Sequence, residues 1–573
     1  MGLNCLYAMK LRFGECTLDT DERVLIRSGQ PVHLTSKAFQ LLAFLLEIRP
    51  RPAAKAELQE KLWPSTFVSD GNLATLVNEA RAAIGDVARQ PLYIRTVHGY
   101  GYAFAGAVQE ASATHSIVVL PFENLTGDRE LDYLCDGIAE NVTNAFSRVT
   151  AFRVLSARTA FRWKDSDAAP EAIGRELGVD TVVHGRVRGS MGSLRVQVDA
   201  VSVESGAQIW GNRLRCDGDQ LFRIEEDVAA EVVAALQLRL SADDLSRLTH
   251  RYTSNPHAYD LYLRGRFHWN KRTIEGLKRA VEHFERAIVA DPEYALPHSG
   301  IADVHAVMGN RDLMPPREVF AKALASATRA LELSPNLAEA HASLGAIAEV
   351  HHWDWSEAGR KYRRAIELSP SYATAHQWYA LHWARLGLRE DAEKHMARAL
   401  DLDPLSRIGL TNAALIAYLA GDYEAAGERI ERALEVDPQS VETIVVRGGI
   451  HEASGRMELA VNDYRASVAR AERFTIALAF LGHVLGRLGM RDEAEEILQR
   501  LESMRRTQHV SAMDSFLVSL GLGRIDEALD WMEKGVAEKS GWLVYLKTDP
   551  RLSSLHGNPR FQSLLRRVQL SNS

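Results

Sequence analysis

The chain is expected to fold as a multidomain, mostly α-helical protein: a small α+β module, then a small α/β domain, then a long α-solenoid. Three observations predict this. An alanine recurs every 34 residues, at Ala358, Ala392, Ala426, Ala460, Ala494 and Ala528. A proline series, Pro292, Pro335, Pro370, Pro404 and Pro438, runs nearly in phase with it. Before about residue 250 the pattern changes to short apolar segments that alternate with amphipathic ones and are separated by glycine-bearing turns. A fixed period of this length marks a repeat array in which stacked helix pairs bury a continuous core.

Composition sets the outer bounds. A length of 573 residues corresponds to about four domains. Hydrophobic and charged contents of 46% and 25% are ordinary for a globular chain. A net charge of -7 argues against coating nucleic acid along the whole length, and leaves binding by one local module open. Cys5, Cys16, Cys135 and Cys216 are scattered with no CxxC pair, which fits reduced thiols and disfavours a disulfide framework or a zinc site. The sequence has no run of about 18 apolar residues, and its start lacks a secretory pattern. The expected location is cytoplasmic, with no membrane partner.

The first module spans residues 1–106. Short strands precede three helices in helix-turn-helix order. Thr35 is a suitable N-cap for Ser36–Ile48, whose Phe39, Leu42, Leu45 and Leu46 share one face. Lys55–Trp63 is a second helix, with Leu58 and Leu62 inward. Asn72–Ile84 is the third; Leu73, Leu76, Val77, Ala80 and Ile84 point inward, leaving Asn72, Thr75, Asn78, Glu79, Arg81 and Ala82 outward. Amide, hydroxyl and guanidinium groups on an exposed helix suit base edges and phosphates. Tyr93–Val97, the turn His98-Gly99 and Tyr100–Phe104 read as a closing hairpin.

The string VHLTSKAFQLLAFLL…KAELQEKLWP…VSDGNLATLVNEARAAIGD…YIRTVHGYGYAF resembles the winged-helix DNA-binding domain of OmpR/PhoB-type response regulators, and within them the CadC-like branch. The combination of Leu34-Thr35, Trp63-Pro64, Arg81, Gly85-Asp86 and Thr96-Val97…Gly101-Tyr102 carries the likeness. The resemblance implies that Asn72–Ile84 is a recognition helix in the major groove and that His98–Tyr102 is the tip of a wing. The implied DNA contacts are Lys55, Asn72, Thr75, Asn78, Arg81, Arg95, Thr96, His98 and Tyr100. The loop with Trp63, Pro64, Phe67 and Asp70 occupies the family's position for contacting RNA polymerase. Ala80, Ala82 and Ala103 depart from the family's usual leucine, basic residue and arginine. Residues 1–106 hold 12 Lys and Arg against 10 Asp and Glu. Modest monomer affinity, raised by dimer formation on DNA, follows from these two facts.

Residues 107–115 (AVQEASATH) read as a linker. Residues 116–245 follow as an α/β domain. Its strands are expected at Ser116–Phe122, Phe152–Ser156, Thr181–Arg188, Leu194–Val203 and Gln208–Arg215, and its helices at Leu131–Val149, Pro170–Leu177 and about Gln220–Leu240. The segment SIVVLPFENLTGDRELDYLCDGIAENVTNAFSRV…ELGVDTVVHGRVRGSMGSLRVQVDAVSVESGAQIWGNRL resembles the TolB-like domain, a likeness that brings no catalytic residues. Asp128, Asp132 and Asp136 lie near a helix start, where acidic groups favour the dipole, so they are read as structural and not as a metal site.

Residues 256–545 are expected as the solenoid and 546–573 as a helical cap. Aligned on the alanine column, eight units begin with Ala280 and Ala323, and a second small column runs through Ala287, Ala330, Ala365, Ala399 and Ala433. Gly387, Gly421, Gly455, Gly489 and Gly523 mark one recurrent turn. The pattern resembles tetratricopeptide repeats, which implies a groove for a protein or peptide ligand. A cluster of His351, His352, Trp353, Trp355, His376, Trp378, His382 and Trp383 is read as packing between repeats.

No GxxxxGK[ST], HExxH or GxSxG motif occurs, and no cofactor, catalytic residue or metal ligand is expected. The resulting expectation is a one-component, sequence-specific transcription regulator and not an enzyme. Its partners would be double-stranded promoter DNA and RNA polymerase, and its control would come through the TolB-like and repeat regions. The alternative is a repeat scaffold whose winged helix has lost DNA affinity.

Overall fold

The computed structural model describes residues 10–571 apart from 20–23, 28–29, 50, 64–67, 69, 88–90, 98, 107–108, 112–114, 191–192, 218–223, 237, 239, 249, 251, 272 and 472–473. The chain forms two compact units, Met1–Thr114 and His115–Ser573.

The first unit runs β1 (Lys10–Phe13), β2 (Cys16–Asp19), β3 (Val24–Arg27), β4 (Gln30–Val32), α1 (Ser36–Glu47), β5 (Ala53–Ala54), α2 (Lys55–Leu62), α3 (Asp70–Ile84), β6 (Ile94–Val97), β7 (Gly101–Phe104) and β8 (Gln109–Ala111). Its antiparallel sheet has the order β4-β3-β2-β1-β8, and a smaller sheet the order β5-β7-β6. Segment 107–115 is therefore more than a linker: Gln109, Glu110 and Ala111 pair with Arg12, Leu11 and Lys10. The compositional reading missed β8 because three residues are too few to show an alternating pattern. Apolar side chains of α1, α2 and α3 close one core with the strands, including Phe13, Leu42, Leu45, Leu58, Val77, Ile94 and Phe104. Thr35 caps α1 as expected, its hydroxyl accepting from the Ala38 N–H at 3.3 Å.

The second unit opens with β9 (His115–Val119), β10 (Glu123–Asn124), α4 (Asp132–Ser147), β11 (Phe152–Val154), α5 (Ala157–Ala160), α6 (Pro170–Leu177), β12 (Thr181–Ser190), β13 (Ser193–Ser202), β14 (Gln208–Asp217), α7 (Ile224–Ala235) and α8 (Ala242–Leu248). Strand order is β11-β9-β12-β13-β14. β9 lies parallel to β11 and β12, and the β12–β13–β14 ladder is antiparallel. Ile117, Val119, Val183 and Val196 pack with α4 into an apolar cluster that continues without a break into Tyr259, Tyr262 and Phe284 of the first repeat. Polar contacts join the same two regions. Arg266 pairs with the buried Glu140, the Asn141 amide donates to the Tyr259 hydroxyl at 2.9 Å, and Thr159 donates to Asp403 at 2.7 Å.

Eight helix pairs follow among the described residues, at 256–290, 295–333, 338–368, 373–402, 407–436, 441–470, 475–505 and 512–538. Every alanine of the 34-residue column lies on the second helix of a pair and is fully buried, because the partner helix leaves room for one methyl group. Large rings fill the space beside small residues of the first helices: a Cβ on Gly345 would sit 2.7 Å from Tyr362, and one on Gly448 2.6 Å from Tyr464. The turn glycines adopt φ between +76° and +80°, a conformation other residues enter at a cost.

The end of the chain does more than cap the array. Segment 541–555 returns along the first helices, which in a free solenoid would line an open groove. Arg385 donates to the Tyr545 hydroxyl at 2.9 Å, Tyr418 donates to Asp549 at 3.4 Å, and the Arg551 guanidinium lies 3.9 Å from the centre of the Phe480 ring. Leu543, Val544, Leu546 and Leu552 are fully buried. Repeat 8 also meets repeat 2, where Arg317 donates to the Ala537 carbonyl at 2.8 Å and Gly541 N–H to Asp312 at 3.0 Å. The chain's own terminus thus lies along part of the face expected to take a protein or peptide ligand.

Candidate nucleic-acid interface

α3 is held through its second half and its C-terminal end by groups of its own unit. In its second half, Glu79 accepts the Thr35 backbone N–H at 2.8 Å, which fixes α3 against the entry of α1. At the end, Gly85 adopts φ +74°, and the Asp86 N–H bonds to the Arg81 carbonyl at 2.8 Å. The Asp86 carboxylate then accepts from the N–H groups of Leu92, Tyr93 and Ile94 at 2.6, 3.3 and 2.7 Å. Gly85-Asp86 thus acts as a clamp between α3 and β6, a structural role that the sequence motif does not reveal.

Arg81 belongs to the same clamp and not to the exposed face. It is 7% exposed. Its Nε and Nη2 donate to the Ile94 carbonyl at 3.1 and 2.6 Å, and Nη2 also reaches the Thr96 hydroxyl at 3.1 Å. The helical spacing alone placed Arg81 outward. It lies at the edge of the buried stripe, four residues after Val77, and β6 folds over that edge. The long side chain bends to satisfy a strand carbonyl, which corrects its assignment as a base contact.

Asn72, Thr75, Asn78 and Ala82 of α3 face solvent, with Gly71 before them, while Leu73, Val77, Ala80 and Ile84 are buried. The Thr75 hydroxyl donates to the Gly71 carbonyl at 3.0 Å and keeps its acceptor lone pairs. Asn72 and Asn78 each carry a donor and an acceptor, the combination that reads an adenine edge in a bidentate way.

The β6–β7 hairpin pairs Ile94 with Phe104 and Val97 with Gly101. Arg95 and Thr96 are exposed, Gly99 adopts φ +74°, and Tyr100 is 48% exposed at the tip. Gly101 is required by close approach, since a Cβ there would lie 1.9 Å from the Ala53 carbonyl oxygen. The same approach brings α2 to the hairpin: the Lys55 N–H donates to the Tyr100 carbonyl at 3.0 Å, with the Lys55 side chain exposed. Nearby Arg51 is committed to Glu57 at 2.6 Å, and that bond holds the Glu57 carboxyl below its ordinary range. Lys55 on α2 and Arg95 on β6 are thus exposed cations, while Asn72, Thr75, Asn78 and Ala82 on α3 are neutral.

Trp63 ends α2, half-buried, with Lys37 Nζ 5.7 Å from its ring centre. Asp70 is the first residue of α3. Pro64, Phe67 and His98 lie outside the described residues.

The other clusters noted in the sequence have local partners. Asp128 accepts from the Glu130 N–H, Asp132 from the Asn124 amide at 2.7 Å, and Asp136 pairs with Lys164 at 2.7 Å. Trp355 packs on His382 with ring centres 5.9 Å apart, and its indole donates to the Val568 carbonyl.

Residues 29–104 match the family described as "Transcriptional regulatory protein, C terminal". Over 190 residues the chain is 30% identical to "Putative adenylate cyclase 3" of Rhizobium meliloti (strain 1021), covering 33% of this chain and 32% of that protein. Over 427 residues it is 22% identical to "Transcriptional regulator HilA" of Salmonella typhi, covering 73% and 75%. Among solved structures, the Klebsiella pneumoniae RstA DNA-binding domain in complex with RstA box matches at 27% identity and a TM-score of 0.16, over 16% of this chain and 94% of that one.

Proposed function

We propose, on the premise that residues 29–104 are a transcriptional-regulator winged-helix domain, that the protein is a cytoplasmic one-component regulator that reads promoter DNA and performs no catalysis. The observation that carries this reading is the face formed by Asn72, Thr75 and Asn78 on a helix tied to the entry of α1 and to β6, in a unit that also exposes Lys55, Arg95 and Tyr100. Clamping matters because base readout needs side chains pre-positioned on a rigid element. Asn72 and Asn78 contact base edges, Thr75 supplies a methyl group and a hydroxyl, and Lys55 and Arg95 neutralise phosphates. Thr96, His98 and Tyr100 form or flank the wing tip. Arg81 is a positioning residue: it sets the angle between α3 and the wing. The loop with Trp63, Pro64, Phe67 and Asp70 contacts RNA polymerase, two copies pair on the operator, and the second unit transmits the signal.

Selection of random duplexes by the full-length protein tests this reading. A recurrent motif should be enriched, and log Kd for it should rise with log salt by a slope of about 0.9 per neutralised phosphate. Recovery of unselected sequence would reject it.

A second reading, a scaffold with a silent winged helix, draws support from one observation. Arg81 is withdrawn from the α3 face and Ala82 is exposed there, so that face carries no cation of its own. The same selection separates the two.

A further inference from the structure

The returning terminus does not fill the solenoid completely. Between Trp542 and Tyr545 on one side and the first helices of repeats 2, 5, 6, 7 and 8 on the other, a cavity of about 430 Å³ remains. This is the size of a small-molecule pocket and too small for a folded peptide element. Its wall is mainly apolar, with Met308, Val445, Phe474 and Trp542 prominent.

Two polar regions break that wall, and they differ in what they leave unmet. At one, Glu442 accepts from both Arg311 and Arg407, so the two guanidinium groups are already engaged by a carboxylate. At the other stands Asp514, 2% exposed, whose Oδ2 has no hydrogen-bond partner. His509 Nε2, also on the cavity wall, has none either. The neighbouring Asp312 is not in this condition, since it accepts from Ser540 and from the Gly541 N–H. A buried acceptor left unpaired costs free energy that a donor from a bound molecule would recover.

We propose that this cavity is an effector site that takes a largely apolar small molecule whose N–H or O–H group donates to Asp514. The assignment rests on the regulator reading given above and names the chemistry of its signal. An anionic ligand is disfavoured, because Glu442 and Asp437 together pair with the guanidinium groups of Arg311 and Arg407 and an added carboxylate would face Asp514. A peptide is disfavoured, because residues 541–555 already occupy the groove.

The test is calorimetric titration of the full-length protein, without DNA, with three ring-matched probes, 2-phenylethylamine, 4-ethylphenol and phenylacetate, buffered above the value of about 7 to which burial pushes the Asp514 carboxyl, so that the acceptor is ionised. The amine and the phenol should bind, and phenylacetate should bind at least about tenfold more weakly, the discrimination expected of one hydrogen bond to a buried acceptor. Asp514→Leu, which removes the acceptor, should weaken both donor probes, the ammonium more than the phenol, and Val446→Phe, which fills the cavity, should abolish binding. Thermal melting of each variant checks that it remains folded. Equal or tighter binding of phenylacetate overturns the proposal, as does indifference of the donor probes to both variants or absence of binding by all three at millimolar concentration. DNA binding is measured separately, so failure of the effector site is distinguishable from failure of the regulator reading.

Discussion

Arg81 and Asn78 lie three residues apart on one helix, yet the structure gives them opposite roles. Arg81 is buried and makes three hydrogen bonds across to β6; Asn78 is exposed to solvent. Arg81→Ala strands the Ile94 carbonyl and loses charge-assisted bonds. It should therefore destabilise the first unit by about 1.5–3 kcal/mol, seen as a lower denaturation midpoint. Asn78→Ala removes nothing from the core and should change stability by no more than about 0.5 kcal/mol. Its effect should fall on DNA affinity for the selected site, by about 1–3 kcal/mol. If the alanine variants exchanged these outcomes, the orientation of α3 would be wrong. The sequence made Thr35 and the buried stripe of α3 legible because capping and helical period are local. It left Arg81 ambiguous because the strand that covers it begins ten residues beyond the end of α3.

At the scale of elements, the wing and the repeats are each set by close approach. Gly101→Ala would force a methyl group into the Ala53 carbonyl, separating β7 from β5 and moving the Tyr100 tip. Non-specific DNA affinity should fall with it, while the melting of the second unit stays unchanged. In the solenoid, Ala426 is fully buried on the second helix of repeat 5, and Ala426→Phe should overpack that pair at a cost of about 1–3 kcal/mol. Proteolysis should report the damage near residues 407–453 first. A variant as resistant as the parent would show that the alanine column is not a packing constraint. This column was readable in the sequence because every helix crossing imposes the same size limit once per period. Strand β8 was not readable, since its pairing with β1 joins residues about 100 apart through three positions.

For the molecule as a whole, the return of the terminus is the feature no local pattern announces. Asp312 meets Ser540 and Gly541 more than 200 residues away, and only the superhelical path of the repeats brings them together. The path also buries charge. Burial alone would raise the Glu349 and Glu452 carboxyls, but Arg385 and His382 around the first and His483 and Arg551 around the second bring both down to about 2. A carboxyl whose folded pKa is depressed contributes stability above its unfolded pKa of about 4.3 and loses it as pH falls toward 2. Asp514 acts in the opposite sense, pushed up to about 7 by burial. Its neutral form is favoured in the folded state, so its contribution is present below about pH 4 and is lost as pH rises through 7. Urea midpoints of the full chain should therefore decline on both sides of mildly acidic pH, and Asp514→Asn should remove the decline on the alkaline side. A midpoint independent of pH between 2 and 8 would contradict the burial of these groups.

The central claim is that α3 reads DNA sequence. The most direct measurement is fluorescence anisotropy of the full-length protein and its Asn78→Ala variant on the selected duplex and on a shuffled duplex of equal composition, at one fixed salt concentration. The account predicts that the parent prefers the selected duplex, that Asn78→Ala loses on the order of 5- to 150-fold in affinity for it, and that binding to the shuffled duplex is unchanged. Equal loss on both duplexes, or no loss on either, would contradict it.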